Sequence, residues 1–414
     1  MESHTTNTPG AAQAASATPG MLGKLKVIDI GTMVAAPVAG TLMADFGANV
    51  IKVEQPGTGD TLRGLGPFLE EESLWWNVDG RNKKSITLNL RSEKGQAILK
   101  KLVAEADVVL ENFRPGTLQK WGLDYESLAK INPGLIMLSV SGFGQTGPLA
   151  HRAGYDRIGL AFSGIMALNG YPDRPPVRIG TSMADYFTAT LGAFAIMTAL
   201  YHRDVNGGRG QQVDLALYES MFRMTESLTA AYDRLGLVRQ RTGNVHYGAA
   251  PGNNFETIDG RFITLTCSGD AIFKRLCQAM QRPDMLNDPG LDTHAKRWDR
   301  VEELNDIVGG WIKTTPIDEL THALDEAGVP YAIALTIADI MEHPHYAARN
   351  NIVSVEHPTL GPIKMQGVVP HFSGMPAAEV KPAPQVGQHN EEVYLGDLGM
   401  TPQEYDDLKR EGIL

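Results

Sequence analysis

The stretch "SMADYFTATLGAFAIMTAL", residues 182–200, sets a carboxylate, Asp185, just ahead of a long apolar run. A carboxylate there serves as a helix N-cap, accepting orphan N–H groups of the first turn. The same placement suits chemistry. The positive end of a helix favours the ionised form, and an ionised carboxylate attacks activated acyl groups. Two further stretches carry functional residue types. "GFGQTG" at 142–147 fits a phosphate-cradling glycine pattern, and basic groups cluster at Arg81, Lys83 and Lys84 and again at Arg114 and Lys120.

The elements that must position these residues begin near residue 25. "KLKVIDI" reads as a buried strand, "APVAGTLMADFGA" as a helix stopped near Gly47, and "NVIKVE" as the next strand. This βαβ unit implies a parallel sheet covered on both faces. "SITLNL", a helix over "SEKGQAILKKLVAEA", "DVVLEN" and "GLIMLSVS" continue the alternation. "QVDLALY" leads into a helix over "ESMFRMTESLTAAYDRLG". Further on, "FETIDGRFITLTC" predicts a hairpin turning at Asp259-Gly260, followed by helices over 270–282, 299–314 and 317–327. The fold class is α/β: a Rossmann-like large domain over 23–225 and a smaller α+β domain over 255–335. A linker spans 226–254 between them. Residues 1–22 read as a disordered arm, and 336–414 as a crossing back to the large domain.

Composition narrows the function. Over 414 residues, 43% hydrophobic and 21% charged content describe an ordinary globular chain. A net charge of −11 argues against nucleic acid and anionic membranes as partners. Two cysteines, Cys267 and Cys277, lack metal-ligand spacing. No apolar run of about 18 residues is evident, so a membrane span is not expected. The opening residues lack the features of a signal peptide, and the cytoplasm is the expected compartment. A nicotinamide site is disfavoured too. Glu54 stands where a ribose-binding acid belongs, but Pro148 follows the third glycine of "GFGQTG" and the next residues are not helical in pattern.

At "VIDIGTMVAAPVAGTLMADFGANVIKVEQPGTGDTLR" (27–63) the sequence resembles the class III coenzyme A transferases, which include formyl-CoA transferase, carnitine CoA transferase and α-methylacyl-CoA racemase. "NKKSITLNL", "ADVVLENFRPGTLQKWGLDYESL", "SVSGFGQTGP", "GYDRIGLAFSGIM", "DYFTATLGAFAIMTAL" and "GRGQQVDLALYESM" follow in family order, and the likeness spans about 23–400. The resemblance implies two chains interlocked as rings in a homodimer. It puts the family's nucleophilic Asp on Asp185, so that a helix cap and a nucleophile coincide. By position it implies CoA contacts at Met33, Ala35, Lys83, Asn112, Phe113, Lys120 and Trp121, with Arg81 adding charge and Gln145 near the reacting acyl group. Gln55 and Ser141 depart from members that carry Arg and Lys there. A mobile loop of formyl-CoA transferase corresponds to "VHYGAAPG" (245–252).

The chemistry implied is acyl exchange through an aspartyl anhydride and an aspartyl-CoA thioester. It uses a CoA thioester as substrate and calls for no metal, redox cofactor or ATP. Succinyl-CoA is the expected donor; malate, citramalate, mesaconate or itaconate are the expected acceptors. The racemase branch places a His before the Asp of the "AGYD" block. Here Tyr155 stands there, and a phenol with an ordinary pKa of about 10 is a poor base at neutral pH. Proton abstraction and CoA binding without catalysis are the alternatives.

Overall fold

The computed structural model describes residues 20–246, 248–374 and 379–414. The arm expected over 1–22 falls almost wholly outside them. Two compact units divide the described residues: those within 20–151, 188–215 and 353–414 form the first, and those within 152–187 and 216–352 form the second.

The first unit is built on a six-stranded sheet. Its strands are β1 (Lys26–Asp29), β2 (Asn49–Glu54), β3 (Lys84–Thr87), β4 (Val108–Glu111), β5 (Ile136–Ser141) and β6 (Gln212–Ala216). Their order is β3-β2-β1-β4-β5-β6, and β1 to β5 pair in parallel. This is the doubly wound dinucleotide-fold order, with its reversal between β1 and β4. Every residue of β4 and β5 is buried. That explains why these strands read as continuous apolar runs rather than alternating ones. Helix α1 (Ala35–Ala44) follows β1, and α2 (Glu93–Val103) follows β3. Ser92 caps α2 through Gly95 N–H, and its last turn carries Lys100 and Lys101 against the helix dipole.

Residues 142–155, which contain the glycine pattern, form no helix, so "GFGQTG" opens no pyrophosphate site. Glu54 is buried and accepts two 2.7 Å hydrogen bonds from Arg63, which consumes the carboxylate a ribose would need.

The second unit contains α3 (Asp156–Phe162) and the first five residues of α4 (Met183–Val205), the long helix within which the division falls. The sequence boundaries therefore need correction. Residues 152–187 and 216–225, expected in the large domain, 226–254, expected as a linker, and 336–352, expected in the crossing back, all cluster with the smaller unit. The helix expected over 219–236 is also two: α5 (Leu217–Phe222) and a further helix, Leu228–Leu235, with Glu226 between them at φ 53°. The rest of this unit is a small antiparallel sheet. β7 (Gly252–Glu256) pairs with β8 (Phe262–Thr266), and β8 with β9 (Tyr331–Ile333). The expected hairpin turn is observed, with Gly260 at φ +73° and Thr257 N–H bonded to Arg261 O at 2.8 Å. Helices Asp270–Ala279, Val301–Thr314 and Ile317–Ala327 cover the sheet and share a core around Phe273, Leu304, Val308 and Leu320.

By length and composition α4 is apolar enough to cross a membrane, which the sequence reading did not anticipate. One face of its residues 188–205 packs into the first unit. Ala189, Ile196, Ala199 and Leu200 are buried. Gly192 lies so close to β5 that an added Cβ would meet Leu138 at 2.8 Å.

Candidate active site

The first βα turn, residues 30–34, sits where the strand order reverses, and a buried charge network fixes it. Asp29 ends β1 and Lys52 lies within β2; both are fully buried. Asp29 accepts the N–H of Gly31 at 3.1 Å, and Lys52 Nζ donates to the Gly31 carbonyl. Asp60 accepts the N–H of Met33 at 3.0 Å and that of Leu62 at 2.8 Å. Lys52 also pairs with Asp60 at 2.9 Å, which holds the Asp60 carboxyl below the usual range against its burial. Asn112, just past β4, clasps Thr32 on both sides at 2.8 and 2.7 Å. Met33 is thereby held at φ 64°, a conformation that a side chain adopts only under restraint.

A cavity of about 280 Å³ opens beside this turn, at the C-terminal ends of β1, β2 and β3. Thr32, Gln55 and Leu88 line it, with Phe113 and Trp121 packed edge to face at 5.4 Å between ring centres. Open α/β sheets bind nucleotides in this crevice. The structure thus gathers Met33, Asn112, Phe113 and Trp121 around one turn and one cavity. Ala35 begins α1 directly behind it, buried, and Lys120 is exposed on the short helix Thr117–Trp121.

Two cations proposed from the sequence do not reach this cavity. Arg81 is buried and forms an ion pair with Asp45. Lys83 is buried with its Nζ 3.1 Å from Asp29 and 2.6 Å from the Pro37 carbonyl. Burial pushes its ammonium below the usual range, Asp29 opposing. Both side chains are engaged inside the fold, by Asp45 and by Asp29. The cation that sequence reasoning missed is Arg91, exposed on the cavity rim. Its guanidinium has no partner among the described residues. In "NLRSEK" it resembled any surface arginine ahead of a helix cap.

Gln145 lies in the first unit and lines a second, polar cavity of about 170 Å³ with Glu111, Ser139 and Gln212. Both oxygens of Asp214 accept its backbone N–H at 3.0 Å. Its side-chain Nε2 is buried without a hydrogen-bond partner, an amide donor in reserve. Burial pushes the Glu111 carboxyl up to about 7.

Asp185 lies in the second unit as the third residue of α4, not at its cap. The cap function falls to another chain segment: Asp156, the first residue of α3, accepts the Ala184 N–H at 2.8 Å. This leaves the Asp185 carboxylate without a hydrogen-bond or ion-pair partner among the described residues. Burial, and secondarily the charge of Asp156, push its carboxyl up to about 7. A carboxylate that is partly buried, uncommitted and more basic than usual suits attack on an acyl carbon. Tyr155, at the position of the racemase histidine, is 65% exposed. Residue 247 of the expected mobile loop lies outside the described residues. The later part of that loop is fastened, with Ala250 buried and its N–H 3.1 Å from the Cys267 carbonyl.

This arrangement predicts a pH profile. A carboxylate attacks only when ionised, so a reaction that uses Asp185 should show kcat/KM rising with pH and levelling off above about 7, up to which burial pushes this carboxyl. Asp156→Asn keeps a cap oxygen but removes the like charge, and the acidic limb should move to lower pH. A limb unchanged in that variant would show that Asp156 does not tune Asp185.

The crevice at the switch point of the doubly wound first unit suits a nucleotide-containing substrate, and the uncommitted carboxylate of the second unit suits acyl transfer. Comparison with known proteins agrees. The chain belongs to CoA-transferase family III, whose sequence profile matches residues 22–390. It is 45% identical over 94% of its length to succinyl-CoA–D-citramalate CoA-transferase of Chloroflexus aurantiacus, covering 96% of that protein. It is 41% identical over 95% of its length to the beta subunit of succinyl-CoA–L-malate CoA-transferase from the same organism, covering 98% of it. Among solved structures, a CaiB/BaiF family protein from Brucella suis matches with a TM-score of 0.81 and 34% identity, covering 91% of this chain and 99% of that one.

Proposed function

We propose that this enzyme moves CoA from succinyl-CoA to a small dicarboxylate of the citramalate or malate type, with Asp185 as the nucleophile. The uncommitted Asp185 carboxylate at the start of α4 carries the proposal. The names of the relatives at 45% and 41% identity support the substrate pair.

Each step exchanges one acyl bond for another. The Asp185 carboxylate attacks the thioester carbon; an O–C bond forms, the C–S bond breaks, and the mixed anhydride and CoA thiolate result. The thiolate attacks the aspartyl carbonyl, giving the aspartyl-CoA thioester and releasing succinate. An acceptor carboxylate then attacks that carbonyl and expels the thiolate, which closes on the acceptor's acyl carbon and restores Asp185. No net proton or electron is consumed. Retaining CoA between steps makes each attack effectively intramolecular, and the crevice at the first βα turn supports that role. Lys120 and Arg91 are the exposed cations suited to its phosphates. Gln145, with its unpaired amide N–H, fits an oxyanion donor.

The test is to incubate the protein with a panel of acyl-CoAs, add neutral hydroxylamine and weigh the peptide carrying Asp185. A hydroxamate formed with succinyl-CoA supports the proposal. An unmodified Asp185 with exchange of the α-proton into deuterated solvent would establish racemase chemistry instead.

An intertwined homodimer belongs to the same proposal. Along one face α4 exposes Phe194 (67%), Tyr201 (61%) and Val205 (62%), with Met197 between them. An apolar stripe of this kind is what a partner subunit covers. Sedimentation should give a particle of twice the chain's mass. A monomer at micromolar concentration would sink this part, and a mixed complex with a second family member, as the subunit name of the malate relative suggests, would replace it.

A further inference from the structure

Asp156 has two carboxylate oxygens with different neighbours. Oδ1 holds the Ala184 N–H at 2.8 Å, immediately before Asp185. Oδ2 is buried with no hydrogen-bond partner. Arg178 Nη2 stands 3.6 Å from it, close enough for charge to act but too far for a hydrogen bond. Arg178 itself makes one hydrogen bond, from Nη2 to the Thr181 carbonyl at 3.2 Å. Its Nε and Nη1 have no partner among the described residues, and the side chain is one-third exposed. Half of its planar fork is therefore unused.

The segment that carries Arg178 is braced. Asn169 and Val177 clasp each other through Val177 N–H to Asn169 O at 3.0 Å and Asn169 Nδ2 to Val177 O at 2.8 Å. Arg241 spends its guanidinium on the carbonyls of Ala167, Tyr171 and Arg174, each at 3.2 Å. Arg241 thus holds the loop, while Arg178 keeps donors in hand.

The acyl group of a dicarboxylic thioester brings one free carboxylate to a place that already holds Asp156 and Asp185. Without a cation that charge would be repelled. The geometry points to Arg178 as the specificity-determining residue that takes the free carboxylate of the acyl group, its fork shared between substrate and Asp156. This rests on the dicarboxylate reading above. A bidentate arginine selects a carboxylate over an isosteric methyl by both charge and shape.

The donor half-reaction tests it without an acceptor. The rate of hydroxamate formation at Asp185 is measured with succinyl-CoA and with butyryl-CoA, which replaces the carboxylate by a methyl group, for wild type, Arg178→Gln and Arg178→Lys. Wild type should favour succinyl-CoA. Arg178→Gln should lose about 10²-fold with succinyl-CoA, as expected for removing one side of a desolvated charge pair, and change less than threefold with butyryl-CoA. Arg178→Lys should recover part of the succinyl rate, since charge returns without the fork. Equal losses with both donors in both variants would mean that Arg178 only braces Asp156, and would overturn the inference while leaving the transferase reading intact. Unchanged selectivity in Arg178→Gln would overturn it too. A wild type that labels from butyryl-CoA but not from succinyl-CoA would overturn the dicarboxylate reading and this inference together.

Discussion

Asp185→Asn should abolish turnover, by about 10⁴-fold or more, while CoA still binds. Losses of this size follow removal of a covalent nucleophile. The substitution is nearly isosteric, and the start of α4 does not depend on Asp185: the Ala184 N–H is satisfied by Asp156. The variant should fold and keep its helix. The crevice lined by Phe113 and Trp121 is built from residues of the first unit, so the dissociation constant for CoA should change less than threefold. Titration calorimetry with CoA and a turnover assay with succinyl-CoA separate the two properties. Removing a like charge beside Asp156 should leave stability equal or slightly higher, because the raised titration of Asp185 reports an unfavourable carboxylate. Asp185→Ala guards against slow deamidation of the asparagine. Activity within tenfold of wild type in both variants would refute covalent catalysis at this residue.

The sheet was readable because parallel strands buried on both faces write themselves as continuous apolar runs. Asn112, Phe113 and Trp121 were named through the family resemblance and not from local pattern; the structure adds that Asn112 clasps the first βα turn and that Phe113 and Trp121 line the cavity beside it. The cations were not legible. Arg81 meets Asp45 across 36 residues and Lys83 meets Asp29 across 54. Nothing in a local pattern distinguishes a lysine that closes a buried ion pair from one that waits for a phosphate. Arg91 was missed for the converse reason, since only its place on the cavity rim sets it apart. The role of Asp185 came from resemblance. Its lack of a partner came from structure, because the residue that caps the helix start, Asp156, lies on α3, 28 residues from the Ala184 N–H it accepts. The assignment of 152–187 to the second unit also escaped the sequence. Periodicity tells which face of a helix is buried but not against which body.

Asp29→Asn should be the most destabilising single change near the crevice, by about 3–5 kcal/mol, the range found when one partner of a buried ion pair is removed. Asp29 lies between two ammonium groups, 3.1 Å from Lys83 and 3.6 Å from Lys52, and all three side chains are essentially without solvent. With Asp60 the set is neutral; without the Asp29 charge it carries one excess positive charge in a low-dielectric place. The excess falls hardest on Lys83, whose ammonium burial already holds below its ordinary range. That fixes the sign of the pH dependence. A lysine that titrates lower when folded binds fewer protons in the native state than in the unfolded one, so stability rises with pH up to the unfolded value of about 10.4. Urea unfolding at pH 6 and pH 9 should therefore show the larger deficit at pH 6. Adding Lys83→Met to Asp29→Asn removes the surplus charge, and the double variant should recover part of the loss. That is a coupling energy of a kind additive effects cannot produce. Asparagine keeps an oxygen for the Gly31 N–H, but Lys52, which holds the Gly31 carbonyl, loses its charge partner, so the variant should bind CoA more weakly as the turn at 31–33 loosens. A deficit below about 1 kcal/mol that is equal at both pH values would show that the network carries no net charge burden. The turn's geometry would then rest on the Asn112 clasp and Asp60 alone.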